Sequence, residues 1–453
     1  MQCCIVTLGC QMNHSDSERI RSVIEGMGFA MTEVEEDADL IGVVACSVRQ
    51  RAIDKVYSKI SKWNRWKNDR PLVTFVSGCI LPADESRFLK RFDLVFRMNE
   101  LPDLPEMLQQ CGIATEYSAR HLLEGIERQD ERTDFWQVDP KYSSSFEAYV
   151  PIQNGCDKFC SFCAVPYTRG REVSRASGDI LAEIQRLVDQ DVKAITLLGQ
   201  NVNSYGLDRK GDEISFAELL RRVGRIGDES GKECWVYFTS PHPRDMTRDV
   251  IEAIAAYRCL AKQIHLPVQS GDEKLLRRMN RNHSVEDYLK IVDDIRELLP
   301  SATLFTDIIV GFSGETDEQF ENTAHLMEQV RFNMAYIAKY SPRVGARSAR
   351  WEDDVTPLQK SERLARLAEI LKRSSLAHNQ ALIGKRIRVL IDGHDKRMEG
   401  ALTARTEGKL PVRVLGATAQ CIGTFQEIEI TDAAELSLTG RLCGIPAENG
   451  LLV

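Results

Sequence analysis

The chain has 453 residues, 43% hydrophobic and 28% charged, the profile of a folded globular protein with room for two to four domains and not of a disordered or fibrous one. Its formal net charge of -8 argues against nucleic acid binding by the chain as a whole, so any such contact has to come from a local basic face. No apolar run approaches the length of a membrane span, and the N-terminus lacks the basic lead and apolar core of a secretory signal, so the expected location is the cytoplasm.

In chain order, an apolar run at residues 3–8 precedes helical spacing over 15–27, behind the capping-type sequence Ser15-Asp-Ser-Glu18. Further strands are expected at 40–45, 72–76 and, shorter, at 94–96, with a helix over 52–63. This β-α-β alternation predicts a doubly wound parallel sheet over residues 1–116. Residues 117–141 are polar and charge-dense, as in a linker or surface excursion.

Over residues 142–373, strands are expected at 149–152, 194–198, 235–238, 263–266, 304–310 and 334–340. Helical patterns such as 180–188, 216–223, 285–298 and 316–330 separate them. Six such β-α units predict a partial (β/α)6 barrel, whose reactive groups sit at the C-terminal strand ends. A charged amphipathic helix over 357–382 leads out of it, and short strands at 387–391, 412–415 and 425–430 predict a small all-β barrel within residues 374–444. The expected fold class is thus α/β, with a small all-β unit at the end.

Thirteen cysteines, an odd number in a large chain without a secretory signal, argue for reduced thiols and metal ligation. Cys156, Cys160 and Cys163 follow the first central strand directly. Three thiolates this close can hold three irons of a [4Fe–4S] cube and leave the fourth iron open to a small chelating molecule. A zinc knuckle is the alternative, although structural zinc prefers four protein ligands and no fourth Cys or His lies nearby. Cys10, Cys46 and Cys79 each fall just past a predicted strand, at the edge where ligands bind in an open parallel sheet. They form either a second cluster site or a set of small buried packing residues.

Thr7-Leu-Gly-Cys-Gln-Met-Asn13, Cys46-Ser-Val-Arg49, Ser77-Gly-Cys79 and the run from Cys156 to Arg175 resemble the methylthiotransferase family of radical S-adenosylmethionine (SAM) enzymes. Leu198-Gly-Gln-Asn-Val-Asn-Ser-Tyr-Gly206, Thr239-Ser-Pro-His-Pro243, His265-Leu-Pro-Val-Gln-Ser-Gly271 and Asp307-Ile-Ile-Val-Gly-Phe-Ser-Gly-Glu315 extend the resemblance. The C-terminal unit is similar to the TRAM domain, an RNA-binding module. The branch resembled is the MiaB type, which acts on tRNA; the other branches modify threonylcarbamoyl-adenosine in tRNA or a ribosomal protein. The chain departs from the family pattern at Val44-Ala45, at Ser313 and after Cys79, and none of these departures removes a cysteine.

The resemblance implies two [4Fe–4S] clusters, one on each cysteine triad, with SAM on the open iron at Cys156, Cys160 and Cys163. It implies sulfur insertion and methylation at carbon 2 of N6-isopentenyladenosine beside the anticodon. A flavodoxin- or ferredoxin-like electron donor, a sulfur donor and a tRNA anticodon stem-loop are the implied partners. SAM contacts are expected from Phe162 (or this is a core aromatic), Gly199 (or a turn glycine), Gln200, Gln269, Ser270 and Gly311, whereas His242 and His265 read as structural. A non-enzymatic iron–sulfur RNA sensor is the reading of another class.

RNA contacts are expected from Arg49 and Arg65, in a basic stretch interleaved with Trp63 and Trp66 that reads equally as a solvated helix face. They are also expected from Arg169 and Arg171 beside the cluster loop, and from Lys385, Arg388 and Arg405 in the small barrel.

Overall fold

The structure is a computed structural model that describes residues 1–47, 50–113 and 132–443. Strands Gln2–Leu8, Leu40–Cys46 and Val73–Cys79 pair in parallel, with Ala30–Met31 and Leu94–Val95 at the edges. Leu40–Cys46 is buried throughout, which explains an unbroken apolar sequence where a half-exposed strand would alternate. Helices Gln11–Gly26 and Gln50–Trp66 cover opposite faces. Ile20, Val23 and Ile24 join Phe75 and Phe96 on one side; Ile53, Val56, Ile60 and Trp63 join Ile41 and Val76 on the other.

Two expectations are corrected here. The first helix starts at Gln11, four residues before the expected Ser15, because the chain turns into the helix at Cys10 and the Asn13 carboxamide accepts the Cys10 N–H at 3.2 Å. Ser15 instead accepts from the buried Arg19 guanidinium at 2.8 Å. The supposed linker also contains core: Phe135, Trp136 and Val138 are buried beside Ile20, Leu104 and Leu108. The charges around them masked three apolar residues in one short turn. The remainder of that stretch, 117–131, lies outside the described residues.

Glu147–Pro151, Ala194–Leu198 and Trp235–Phe238 form a three-stranded parallel sheet; Gln263–His265, Thr303–Val310 and Met334–Lys339 form a second. A parallel bridge ties Val236 of the first sheet to Leu260, on the segment that leads into Gln263–His265. Val150, Ile195, Val236, Ile264 and Ile308 pack outward against helices Ser177–Asp189, Phe216–Glu229, Arg248–Ala256, Val285–Leu298 and Asp317–Val330. Helix Pro357–Gln380 then leads to a closed barrel of five strands, Arg386–His394, Leu402–Thr406, Pro411–Leu415, Phe425–Ala434 and Ser437–Leu442. No helix among the described residues is long and apolar enough to cross a membrane.

The barrel docks at the N-terminal ends of the central strands. Phe425 meets Trp235 with ring centroids 4.5 Å apart, beside Leu390, Ala194 and Ala261. Thr303 donates to the Gly408 carbonyl at 2.7 Å, and the Lys262 N–H donates to Glu407 at 3.0 Å. Lys409 stacks over Tyr237 at 4.2 Å. Apart from Tyr237, every central residue named here lies at or near a strand start, so the opposite, C-terminal ends are left for chemistry.

Candidate active site

The loop carrying Cys156, Cys160 and Cys163 is closed at its base by a short antiparallel pair, Gln153–Asn154 with Val173–Ser174. Gly155, at φ 79°, is required there, because a Cβ would lie 2.1 Å from the Arg171 carbonyl. The Cys156 N–H donates to the Gly170 carbonyl at 3.2 Å and the Cys163 N–H to that of Cys160 at 3.0 Å. Across the site, Asn280 donates to the carbonyls of Lys158 and Phe159, and the Ser161 N–H donates to Met279 at 2.9 Å. These bonds fasten the cysteine loop to the turn beyond Gln263–His265.

Burial pushes the Cys156 thiol up to about 11 and the Cys163 thiol up to about 12, and the neighbouring thiols add to both. Mutually repelling thiols of this kind stay protonated near neutrality until a cation takes the protons' place. Positive charge stands beside them: Arg281 Nη1 is 3.5 Å from Cys160 Sγ, and Lys158 forms a buried ion pair with Asp245. Among the described residues no three His, Cys, Asp or Glu side chains close around a single ion.

Above this loop lies a set of buried polar atoms without hydrogen-bond partners: both amide atoms of Gln153, Gln200 Oε1, Asn201 Oδ1, His242 Nε2, Arg281 Nε and His283 Nε2. They are neighbours in space. A Cβ on Gly199 would lie 2.6 Å from Gln153, Asn201 donates to Asp245 at 3.2 Å, and the His242 and His283 rings are 5.6 Å apart. Each such orphan costs about 1–3 kcal/mol, so their concentration marks a place that receives a polar ligand. His242 accepts the Arg244 N–H on Nδ1 at 3.2 Å, which leaves the proton on Nε2. Burial, followed by the Arg281 and His283 charges, holds its pKa far below the ordinary range.

The expected SAM contacts divide. Gly199, Gln200 and Gln269 lie at this end of the strands; Gln269, at φ 76°, is fixed by main-chain bonds to Asp307 and Ile309. Phe162 packs edge-on against Phe312 beside Met279 and Tyr340. The Ser270 hydroxyl bonds to Thr323 and accepts the Asp272 N–H, so it braces its own loop. At Gly311, φ 69°, a Cβ would strike Lys360, and its N–H donates to Glu315, which pairs with Arg363 at 2.7 Å. Gln153, Lys158, Asp245, Arg281 and His283 were not singled out from sequence; Gln153 lies just past a strand, whereas Arg281 and His283 follow helix Glu273–Arg278 and carry no such signal.

The second triad also assembles. Cys46 and Cys79 are register partners on adjacent strands, and Cys10 caps the first helix beside them. Asn13, fully buried, touches two of them and the residue before the third: its Oδ1 is 3.5 Å from Cys10 Sγ, its Nδ2 is 3.8 Å from Cys79 Sγ, and Nδ2 donates to the Ala45 carbonyl at 3.2 Å. Hydrogen bonding to Cys46, then burial, holds the Cys79 thiol well above its usual range; burial, then Cys79, raises that of Cys10.

Several expected RNA contacts are engaged elsewhere. Arg169 is buried in an ion pair with Asp16, and its Nε lies 3.0 Å from Cys79 Sγ. Arg388 pairs with Glu233 and Arg405 with Glu147, which fastens the barrel to the central unit. Trp63 is core, Lys59 and Lys62 of that helix pair with Glu35 and Glu36, and Lys67 just beyond it pairs with Asp93, so part of this basic stretch is an ion-paired face. Arg65 and Lys385 are exposed; Arg171 is exposed, pairs with Asp157 and stacks on Phe159 at 5.4 Å. Arg49 lies outside the described residues.

Three family models match: Uncharacterized protein family UPF0004 over residues 2–97, the Radical SAM superfamily over 150–327 and the TRAM domain over 380–443. Proteins named tRNA-2-methylthio-N(6)-dimethylallyladenosine synthase align over nearly the whole chain. That of Carboxydothermus hydrogenoformans is 39% identical over 97% of this chain and 98% of its own length. That of Clostridium botulinum is 40% identical over 96% of each. Among solved structures, the radical S-adenosylmethionine methyltransferase TsrM from Kitasatospora setae is similar in fold, with a TM-score of 0.53 at 15% identity over 76% of this chain and 75% of that one.

Proposed function

The chain belongs to the family of tRNA-2-methylthio-N(6)-dimethylallyladenosine synthases, and from that membership we propose that it is a radical SAM tRNA methylthiotransferase that acts on N6-isopentenyladenosine beside the anticodon. The observation that carries the reading is the pair of three-thiol constellations, one of them under a roof of unpartnered buried polar atoms. We read the two three-stranded sheets as an open six-stranded barrel with the reacting groups at its C-terminal mouth.

Cys156, Cys160 and Cys163 would hold one [4Fe–4S] cluster, and Cys10, Cys46 and Cys79 a second; the donor set and its burial fit both. Bound SAM and the clusters supply the cleavage and sulfur insertion at an unactivated C–H bond that no side chain can perform. The chain's own residues have other work. Gln153, Gln200, His242 and Arg281 offer donors and acceptors to SAM's polar groups, and Arg281 offsets negative charge at Cys160. The barrel, with Lys385, and the exposed Arg65 and Arg171 support contact with a tRNA anticodon stem-loop. The chemistry also requires a one-electron donor and a sulfur donor, and the cytoplasm is where the tRNA substrate is found.

Mass spectrometry of tRNA nucleosides from a strain lacking the gene tests the substrate: 2-methylthio-N6-isopentenyladenosine should disappear, and an unchanged level sinks the assignment. Anaerobic reconstitution should give about eight irons per chain, as two cubanes require, with release of 5′-deoxyadenosine. Binding of tRNA without that release favours the sensor reading.

A further inference from the structure

The Arg169 side chain reaches one cysteine site, while its carbonyl and the next one bind the base of the other cysteine loop. Its Nε lies 3.0 Å from Cys79 Sγ, and its Nη1 and Nη2 grip both carboxylate oxygens of Asp16, with both side chains only 3% exposed. Asp16 sits on the helix that begins at Cys10, so the guanidinium holds the elements bearing two of the three dispersed cysteines. On the main-chain side, Asn154 donates to the Arg169 carbonyl at 3.4 Å, and the Cys156 N–H donates to the next carbonyl, that of Gly170, at 3.2 Å. The five-residue helix Val165–Arg169 follows Cys163 directly, and the Val165 N–H lies 3.5 Å from Cys163 Sγ. One short helix therefore touches a thiol of each triad, with an N–H directed at sulfur from either end. Its far side is held by the close passage of Gly155 against the Arg171 carbonyl.

We propose that Arg169 is a positioning residue that fixes the Cys10–Cys46–Cys79 site relative to the Cys156–Cys160–Cys163 site and sets the reduction potential of the cluster held by the dispersed triad. This rests on reading Cys10, Cys46 and Cys79 as cluster ligands. The physical argument has two parts. A guanidinium cannot give up its proton, and buried beside a ligating sulfur it favours the more negative, reduced form of a cluster, which raises the potential. The same charge would be costly in that interior without Asp16, so the carboxylate anchors it without displacing it from sulfur. The geometry makes Arg169 a tie between units of the chain, which explains why a basic residue in a cluster loop is sealed from solvent.

The test uses full-length protein with Cys156, Cys160 and Cys163 changed to Ala, so that only the dispersed triad can carry a cluster. Its iron content and EPR-monitored reduction potential are compared with and without Arg169→Gln and Arg169→Lys. Arg169→Gln is expected to move the potential to more negative values and to alter the EPR line shape. Arg169→Lys should fall between, since it keeps a charge but cannot reach sulfur and both Asp16 oxygens together. In protein with all six cysteines, Arg169→Gln should raise the ratio of 5′-deoxyadenosine to methylthiolated nucleoside several-fold, as separated half-reactions lose step. Four irons bound with an unchanged potential and line shape in Arg169→Gln overturns the proposal. If the triple-Ala parent binds no iron, the second-cluster reading itself fails, and that result is distinct. Should Arg169→Gln lose its cooperative melt, Arg169→Lys carries the test alone: four irons bound with an unchanged potential and line shape in that variant overturns the proposal equally.

Discussion

Changing Arg363 to Met removes a charge from beneath the candidate site while keeping an apolar stem over the Phe320 ring, which the guanidinium now covers at 5.5 Å. Arg363 Nη1 lies 2.7 Å from Glu315 Oε2 and 3.2 Å from the Glu315 carbonyl, with the two side chains 6% and 1% exposed. Its other bond, to the exposed Asp317 at 2.8 Å, is worth less than about 1 kcal/mol. The dominant loss is the cation facing a buried carboxylate, and breaking such a pair costs about 3–5 kcal/mol.

The loss depends on pH in a definite direction. Burial already raises the Glu315 pKa above its ordinary value, and without Arg363 it rises further. A carboxyl with a raised folded pKa binds more protons folded than unfolded, so stability falls as pH rises through that interval. The deficit of Arg363→Met is therefore largest near about pH 8 and shrinks toward about pH 5. Urea unfolding followed by tryptophan fluorescence at several pH values measures it. Adding Glu315→Gln to Arg363→Met should recover most of the loss, because no buried charge remains. A single variant that costs under about 1 kcal/mol at every pH, or a double variant as unstable as the single, refutes the reasoning.

Cys156→Ala should halve the reconstituted iron and abolish SAM cleavage, while Cys46→Ala should keep cleavage and lose methylthiolation; iron assay and nucleoside analysis separate the two. Trp235→Ala empties the seam against Phe425 and should cost about 3–5 kcal/mol, read as earlier proteolytic cleavage between the central unit and the small barrel. Burial lowers the Lys409 pKa to about 8 from 10.5. Between those values the unfolded chain binds the extra proton, so stability rises with pH in that window, and Lys409→Met should flatten the rise in a urea titration.

The central strands were legible because strands buried on both faces are unbroken apolar runs, and the cysteine triads because their spacing relative to those runs is regular. The first helix boundary was not, since cysteine is a poor cap by type and acts as one here only through Asn13. Leu402–Thr406 and Ser437–Leu442 escaped notice because they are short and mix polar residues with apolar ones, as barrel strands with one wet face do. The partners of the arginines were hidden for a different reason. Arg169, Arg388 and Arg405 find their carboxylates 153, 155 and 258 positions away in the chain, and no local pattern announces such a partner. The orphaned amides of Gln153 were equally silent, because an unpaired atom is a property of the packed interior.

The small barrel and the cysteine loop occupy opposite ends of the same strands. Thr303–Val310 is eight residues long, so at about 3.3 Å per residue the two ends are roughly 25 Å apart. A nucleic acid held by the barrel has to extend along the flank of the central unit before its reacting base reaches the mouth. The molecule then acts as a ruler. Under the proposed function, a substrate gripped by the barrel and acted on at the mouth spans that distance, which a free nucleoside is too short to do.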